Sequence, residues 1–173
     1  TDFMVFLGNQ NHLVTEEDET QYISDIVFSP DGKLVAAGSF DQSVTVWDVQ
    51  SHEKIHEFKF GLYNGELAFS PDSKLLAAAG FEFGIWDLST GQSVFSASSI
   101  RSPENVVFSP AGDVLAVGLM WRNIVLLDPT SGRILRILDQ GIDEFNYDIT
   151  FSNDGKMLIT AGGNGIIRIW GIP

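Results

Sequence analysis

The chain has 173 residues, 44% of them hydrophobic, and no cysteine, which excludes disulfides, a thiolate nucleophile and a cysteine-based metal site. Ten Lys and Arg stand against 23 Asp and Glu, a formal net charge of −13, which argues against binding to a phosphate backbone or an anionic membrane face. The length suits one or two domains, and no apolar run approaches the ~20 residues of a membrane span.

The opening stretch, Asp2 to Leu7, reads as a strand. Glu16-Glu17-Asp18-Glu19 is the one acid run, expected to be a solvated loop. No signal peptide is visible, and the chain does not begin with Met, which leaves room for an upstream segment. Then Ile26-Val27-Phe28 ends a strand, and Ser29-Pro30-Asp31-Gly32 is a turn with a mechanism. Pro pre-sets φ, Asp bonds its own backbone and Gly accepts a positive φ. Leu34 to Ala37 is apolar on both faces, as suits a strand between two layers. After a second turn, Gly38 to Gln42, the segment Ser43 to Asp48 alternates with period two and puts Val44 and Val46 on one face.

This unit recurs. Phe28, Phe69, Phe108 and Phe151 each precede a Ser and a turn, at spacings of 41, 39 and 43 residues. The third strands end in Trp47-Asp48, Trp86-Asp87, Leu127-Asp128 and Trp170-Gly171. Such a period is that of a four-stranded propeller blade. Phe6 lies 22 residues before Phe28, the interval that also separates Trp47 from Phe69 and Trp86 from Phe108. Asp2 to Leu7 is therefore expected to be the third strand of an earlier blade, with the fourth beginning near Leu13.

On these landmarks the whole chain resembles the WD-repeat (tryptophan–aspartate repeat) β-propeller family. The resemblance implies an all-β fold of four-stranded antiparallel blades, strands a to d. About four repeats are present, near 23–62, 63–101, 102–143 and 144–173, with 1–22 ending a preceding blade. Strands d are expected near 54–59, 93–96 and 133–138. The chain is read as a section of a larger propeller. A self-closed four-blade ring and two chains completing eight blades are the alternatives. The Gly-His pair of the family is absent before every strand a, and Thr160 is the one good hydroxyl candidate in a strand b.

His52-Glu53-Lys54-Ile55-His56 matches a zinc-protease motif, whose two imidazoles share one helix face. The repeat instead puts the segment on a turn and an outer strand. There the histidines would lie ~13 Å apart and exposed. Neither a catalytic residue nor a metal site nor a cofactor is expected. Asp48, Asp87 and Asp128 recur with the repeat and read as structural.

The resemblance implies a non-catalytic scaffold that binds a protein or peptide partner, with a basic one compatible with the charge. Its partner face carries the b–c and d–a loops. Position by position, that face includes Phe40, Phe81, Trp121 and Arg122 from b–c loops, and Tyr63, Arg101 and Phe145 from d–a connections. Aromatics and Arg are the types enriched in interface hot spots. Two other readings are a sensory or regulatory module attached to a domain outside the chain, and an enzyme with its site in the central channel. The second needs acids or bases on strands a, which carry mostly Val, Ile, Ala and Phe. Exposed blade edges also suggest self-association. Compartment and partner identity stay open.

Overall fold

The structure is a computed structural model that describes residues 23–39, 43–60, 65–97, 100, 102–120, 123–139, 146–163 and 165–172. Every regular element in them is a strand, and four antiparallel sheets follow one another along the chain. The first holds β1 (Ile23–Phe28), β2 (Leu34–Ser39), β3 (Ser43–Asp48) and β4 (Lys54–Lys59) in sequential order. The second holds β5 (Glu66–Phe69), β6 (Leu75–Ala79), β7 (Phe83–Asp87) and β8 (Gln92–Ala97). In the third are β9 (Pro103–Phe108), β10 (Leu115–Leu119), β11 (Asn123–Leu127) and β12 (Ile134–Asp139). The fourth has three strands among the described residues, β13 (Asn146–Phe151), β14 (Met157–Gly162) and β15 (Ile167–Gly171). The outer strands β4, β8 and β12 stand where the repeat places strands d.

The a–b turns hold by one hydrogen-bond set. Ser29 Oγ accepts from Leu34 N at 2.9 Å and donates to Asp31 Oδ1 at 2.7 Å, while Asp31 Oδ1 accepts from Lys33 N at 3.1 Å. Ser70 and Ser152 do the same with Asp72 and Asp154. In the third repeat, where Ala111 replaces the aspartate, Ser109 turns to Asp113 at 2.7 Å. The left-handed corner falls on Gly32, Gly112 and Gly155, and on Ser73 at φ 61°.

The core lies between sheets. Val44, Val46 and Phe58 of the first sheet meet Leu67, Phe69 and Leu76 of the second. Phe83 and Ile85 meet Val106 and Phe108, and Ile124 and Leu126 meet Ile149 and Phe151. Fully burying each such side chain stabilises by about 1.5–3 kcal/mol. The inner strands β1, β5, β9 and β13 neighbour one another in that order. Among the described residues the result is an open arc of four propeller blades. The expected strand at 2–7 lies outside the described residues.

Candidate functional site

The WD-position aspartates are turn clamps. Asp48 Oδ1 accepts from Gln50 N and Ser51 N at 2.9 and 2.7 Å. Asp87 Oδ1 accepts from Ser89 N, Thr90 N and Ser89 Oγ, and Asp128 Oδ1 from Thr130 N and Oγ1. Hydrogen bonds to the charged form lower a carboxyl pKa. The Thr130 hydroxyl and N–H hold Asp128 down at about 2.

Trp47 and Trp86 are buried, and Trp86 stacks on Phe58 with centroids 4.8 Å apart. In the fourth blade Trp170 Nε1 donates to Thr160 Oγ1 at 3.3 Å. Thr160 thus makes the contact its position in strand b suggested.

The histidine pair does not form a site. His52 sits in the c–d turn at φ 64°, not on the strand, and is exposed. His56 lies on β4 but is half-buried, with Nε2 2.7 Å from Leu88 O of the next blade. The exposed setting expected for both holds only for His52, because β4 leans His56 onto the neighbouring turn. Among the described residues no three His, Cys, Asp or Glu are grouped to hold a metal, and no helix could cross a membrane.

Of the residues expected on the partner face, Phe81 lies among the described residues. The turn that carries it is Gly80 to Glu82, closed by Gly80 N donating to Glu82 O at 3.0 Å; Phe83 and Gly84 already belong to β7. The Phe81 ring is 67% exposed at its tip. Phe40, Tyr63, Arg101, Trp121, Arg122 and Phe145 lie outside the described residues.

The inner strands add a feature that the apolar reading of strands a overlooked. Asp25, Glu66, Asn105 and Asp148 each stand three residues before the Phe of their blade and pair with Gly38, Ala79, Gly118 and Ala161. They form one polar level near the end that carries the b–c turns. Two of them reach across a seam. Asp25 Oδ2 accepts from Leu67 N at 2.7 Å, and Glu66 Oε2 from Val106 N at 3.0 Å. Burial pushes the Glu66 carboxyl up; the Val106 N–H opposes this, and the nearby Asp25 and Asp148 charges reinforce it. The signal was present in the aligned repeats as a recurring Asp, Glu or Asn at one offset. A groove of about 330 Å³ between Pro71 and Ala111 lies at the opposite, a–b end.

The family model for the WD domain, G-beta repeat, matches residues 10–48 and 143–171. Those two segments carry WD repeats. An uncharacterized WD repeat-containing protein of Synechocystis is 31% identical over 81 residues, 47% of this chain and 24% of that protein. Cilia- and flagella-associated protein 52 of Chlamydomonas reinhardtii is 28% identical over 88 residues, 50% of the chain and 14% of the relative. Echinoderm microtubule-associated protein-like 2 of Rattus norvegicus is 28% identical over 86 residues, 50% and 13% respectively. The chain thus aligns with a quarter or less of each relative's length. WD repeats in general imply a protein-interaction scaffold.

Proposed function

We propose that this WD-repeat chain is a non-catalytic scaffold that binds a protein or peptide segment on the face bearing the b–c and d–a connections. The observation that carries it is Phe81, a large ring held out at 67% exposure on a three-residue turn. An aromatic in that setting gains from being covered, and such residues anchor interfaces. The charge of −13 and the carboxylates Asp25 and Asp148 at the same end favour a segment with Lys or Arg beside an apolar anchor. The names of two relatives, one associated with cilia and flagella and one with microtubules, are in keeping with assembly rather than turnover.

The test is fluorescence anisotropy with a library of labelled peptides containing Lys, Arg and Leu, at low and high salt. Binding that weakens with salt and falls at least tenfold in Phe81→Ala, but not in Ile137→Ala on an outer strand, is the expected result. Equal affinity in both variants refutes the assignment of the face. Substrate turnover by the chain, abolished by Asp25→Asn or Glu66→Gln, refutes the non-catalytic reading.

A further inference from the structure

The first two seams between blades share an inner bond that the third lacks. Two residues before the Phe of each inner strand stand Leu67, Val106 and Ile149, opposite Ala78, Val117 and Thr160. Three residues further on, Ser70, Ser109 and Ser152 donate their N–H into the ladder, to the carbonyls of Leu75, Val114 and Met157. Donors alternate in direction along an antiparallel strand, so the N–H groups of Leu67, Val106 and Ile149 point out of the ladder. Asp25 takes the first of these at 2.7 Å and Glu66 takes the second at 3.0 Å, each across a seam.

The third donor, Ile149 N, belongs to the seam where Asn105 stands in the carboxylate's place. Among the described residues Asn105 Oδ1 is buried and makes no hydrogen bond. It is nevertheless aimed at that seam, since a Cβ built on Gly118 would lie 3.2 Å from Asn105 Oδ1 and 3.6 Å from Ile149 Cδ1. A buried acceptor is costly to leave unpaired. The opposite end of the same amide gives the reason. The Asn105 side chain bonds the Glu66 carboxyl, and the N–H of the next residue, Val106, bonds Glu66 Oε2. Two consecutive residues of β9 thus hold one carboxylate. A carboxylate only accepts, so the amide meets it through Nδ2. Such a bond is roughly twice as strong as one to a neutral acceptor, and it holds Asn105 back in the second seam.

The charged groups acting on Glu66 from other strands are Asp25 of β1 and Asp148 of β13. Opposite it β6 presents Ala79, and on β9 Glu104 alternates to the face away from Asn105. We infer that Glu66 and Ile149 compete for Asn105, and that a proton on Glu66 decides between them. While Glu66 is ionised, Asn105 Nδ2 stays with it and the third seam has no inner bond. Once Glu66 is protonated, its carbonyl oxygen keeps Val106 N, but the charged acceptor that held Asn105 is gone. Asn105 Oδ1 then moves onto Ile149 N, and the third seam gains the bond that the other two have. Protons therefore tighten the joint between the third and fourth blades. The inference is independent of what the b–c face binds.

The backbone amide of Ile149, followed by NMR on the 173-residue chain, reports the bond. In the wild type its proton signal should move downfield as pH falls through the Glu66 transition. Its hydrogen exchange, corrected for the intrinsic rate, should slow by about two- to tenfold, the worth of one hydrogen bond. Glu66→Gln, which keeps an oxygen for Val106 N, should show the low-pH Ile149 signal already at pH 7. Asn105→Ala should abolish the pH response of Ile149 and leave the Leu67 amide, bonded to Asp25, as it is. An Ile149 amide that is the same in wild type and Glu66→Gln at pH 7 overturns the inference. So does a pH response that survives in Asn105→Ala.

Discussion

His56 Nε2 lies 2.7 Å from the carbonyl oxygen of Leu88, and the same ring fills the place where a Cβ on Gly91 would come to 2.9 Å. A carbonyl only accepts, so Nε2 carries the proton. The outer strand of one blade is thereby latched to the c–d turn of the next. Phe95 repeats the contact against Gly132, where an added Cβ would collide with its ring.

This predicts a ranking of glycine substitutions. All three of Gly32, Gly91 and Gly132 have φ near 70°, so each alanine costs about 1–2 kcal/mol from the left-handed backbone. Gly32→Ala meets nothing within 4 Å and should show that cost alone. Gly91→Ala should lose more and Gly132→Ala most, by about 1–3 kcal/mol further from overpacking. Urea midpoints in the order Gly32→Ala, Gly91→Ala, Gly132→Ala, highest first, check it; equal midpoints refute the latch.

Glu66 predicts an unusual response to alkali. Its folded pKa is raised above the ordinary 4.5, so the stability associated with its neutral form is complete below 4.5 and is lost as pH rises through the folded value. Glu66→Gln keeps an oxygen for Val106 N and carries no charge. The variant should match the wild type at pH 4 and exceed it at pH 7 and above. A variant that matches the wild type at pH 4 but falls below it at pH 7 would show that the carboxylate is the favoured form.

Asp128 acts in the opposite sense. Its folded pKa, about 2, lies below the ordinary 3.8, so its contribution is present above 3.8 and lost as pH falls toward 2. Asp31, Asp48, Asp72, Asp87 and Asp154 are lowered by the same kind of turn contacts. Asp128→Asn should flatten the melting temperature between pH 4 and 2 relative to the wild type. An unchanged slope in that window rules the clamp out as a source of acid sensitivity.

Ser73 holds the left-handed corner that three other blades give to glycine, and its Oγ accepts from Asp31 N of the preceding blade at 3.2 Å. Relief of the backbone is worth about 1–2 kcal/mol, and an exposed hydrogen bond about 0.5–1.5 kcal/mol. Ser73→Gly should therefore raise stability by under about 1 kcal/mol. A loss of more than that, seen by thermal unfolding, would make the inter-blade bond the stronger term.

Much of the fold was legible because its landmarks are local. The Phe-Ser pair, the Asp-Gly corner and the Trp-Asp pair each report hydrogen bonds made within a few residues, and β4, β8 and β12 fall where the repeat put them. What spans two blades was harder to see. The environment of His56 depends on Leu88 and Gly91, 32 and 35 residues away, and nothing in His56's own segment announces them. The carboxylate level was hidden differently, by reading strands a for apolar content when the offset from Phe carried the message. Phe81 alone represents the expected partner face among the described residues, and its exposure agrees with the turn tip assigned to it.

The Ser–Asp turns and Asp clamps have a consequence for how the chain is made. Each closes over no more than five residues, and each sheet pairs strands that are adjacent in sequence. Short loops close quickly and lose little entropy. A nascent polypeptide of this kind can therefore acquire order one unit at a time as it leaves the ribosome, each finished unit templating its successor. The rate of assembly should then depend on the weakest single unit rather than on total length.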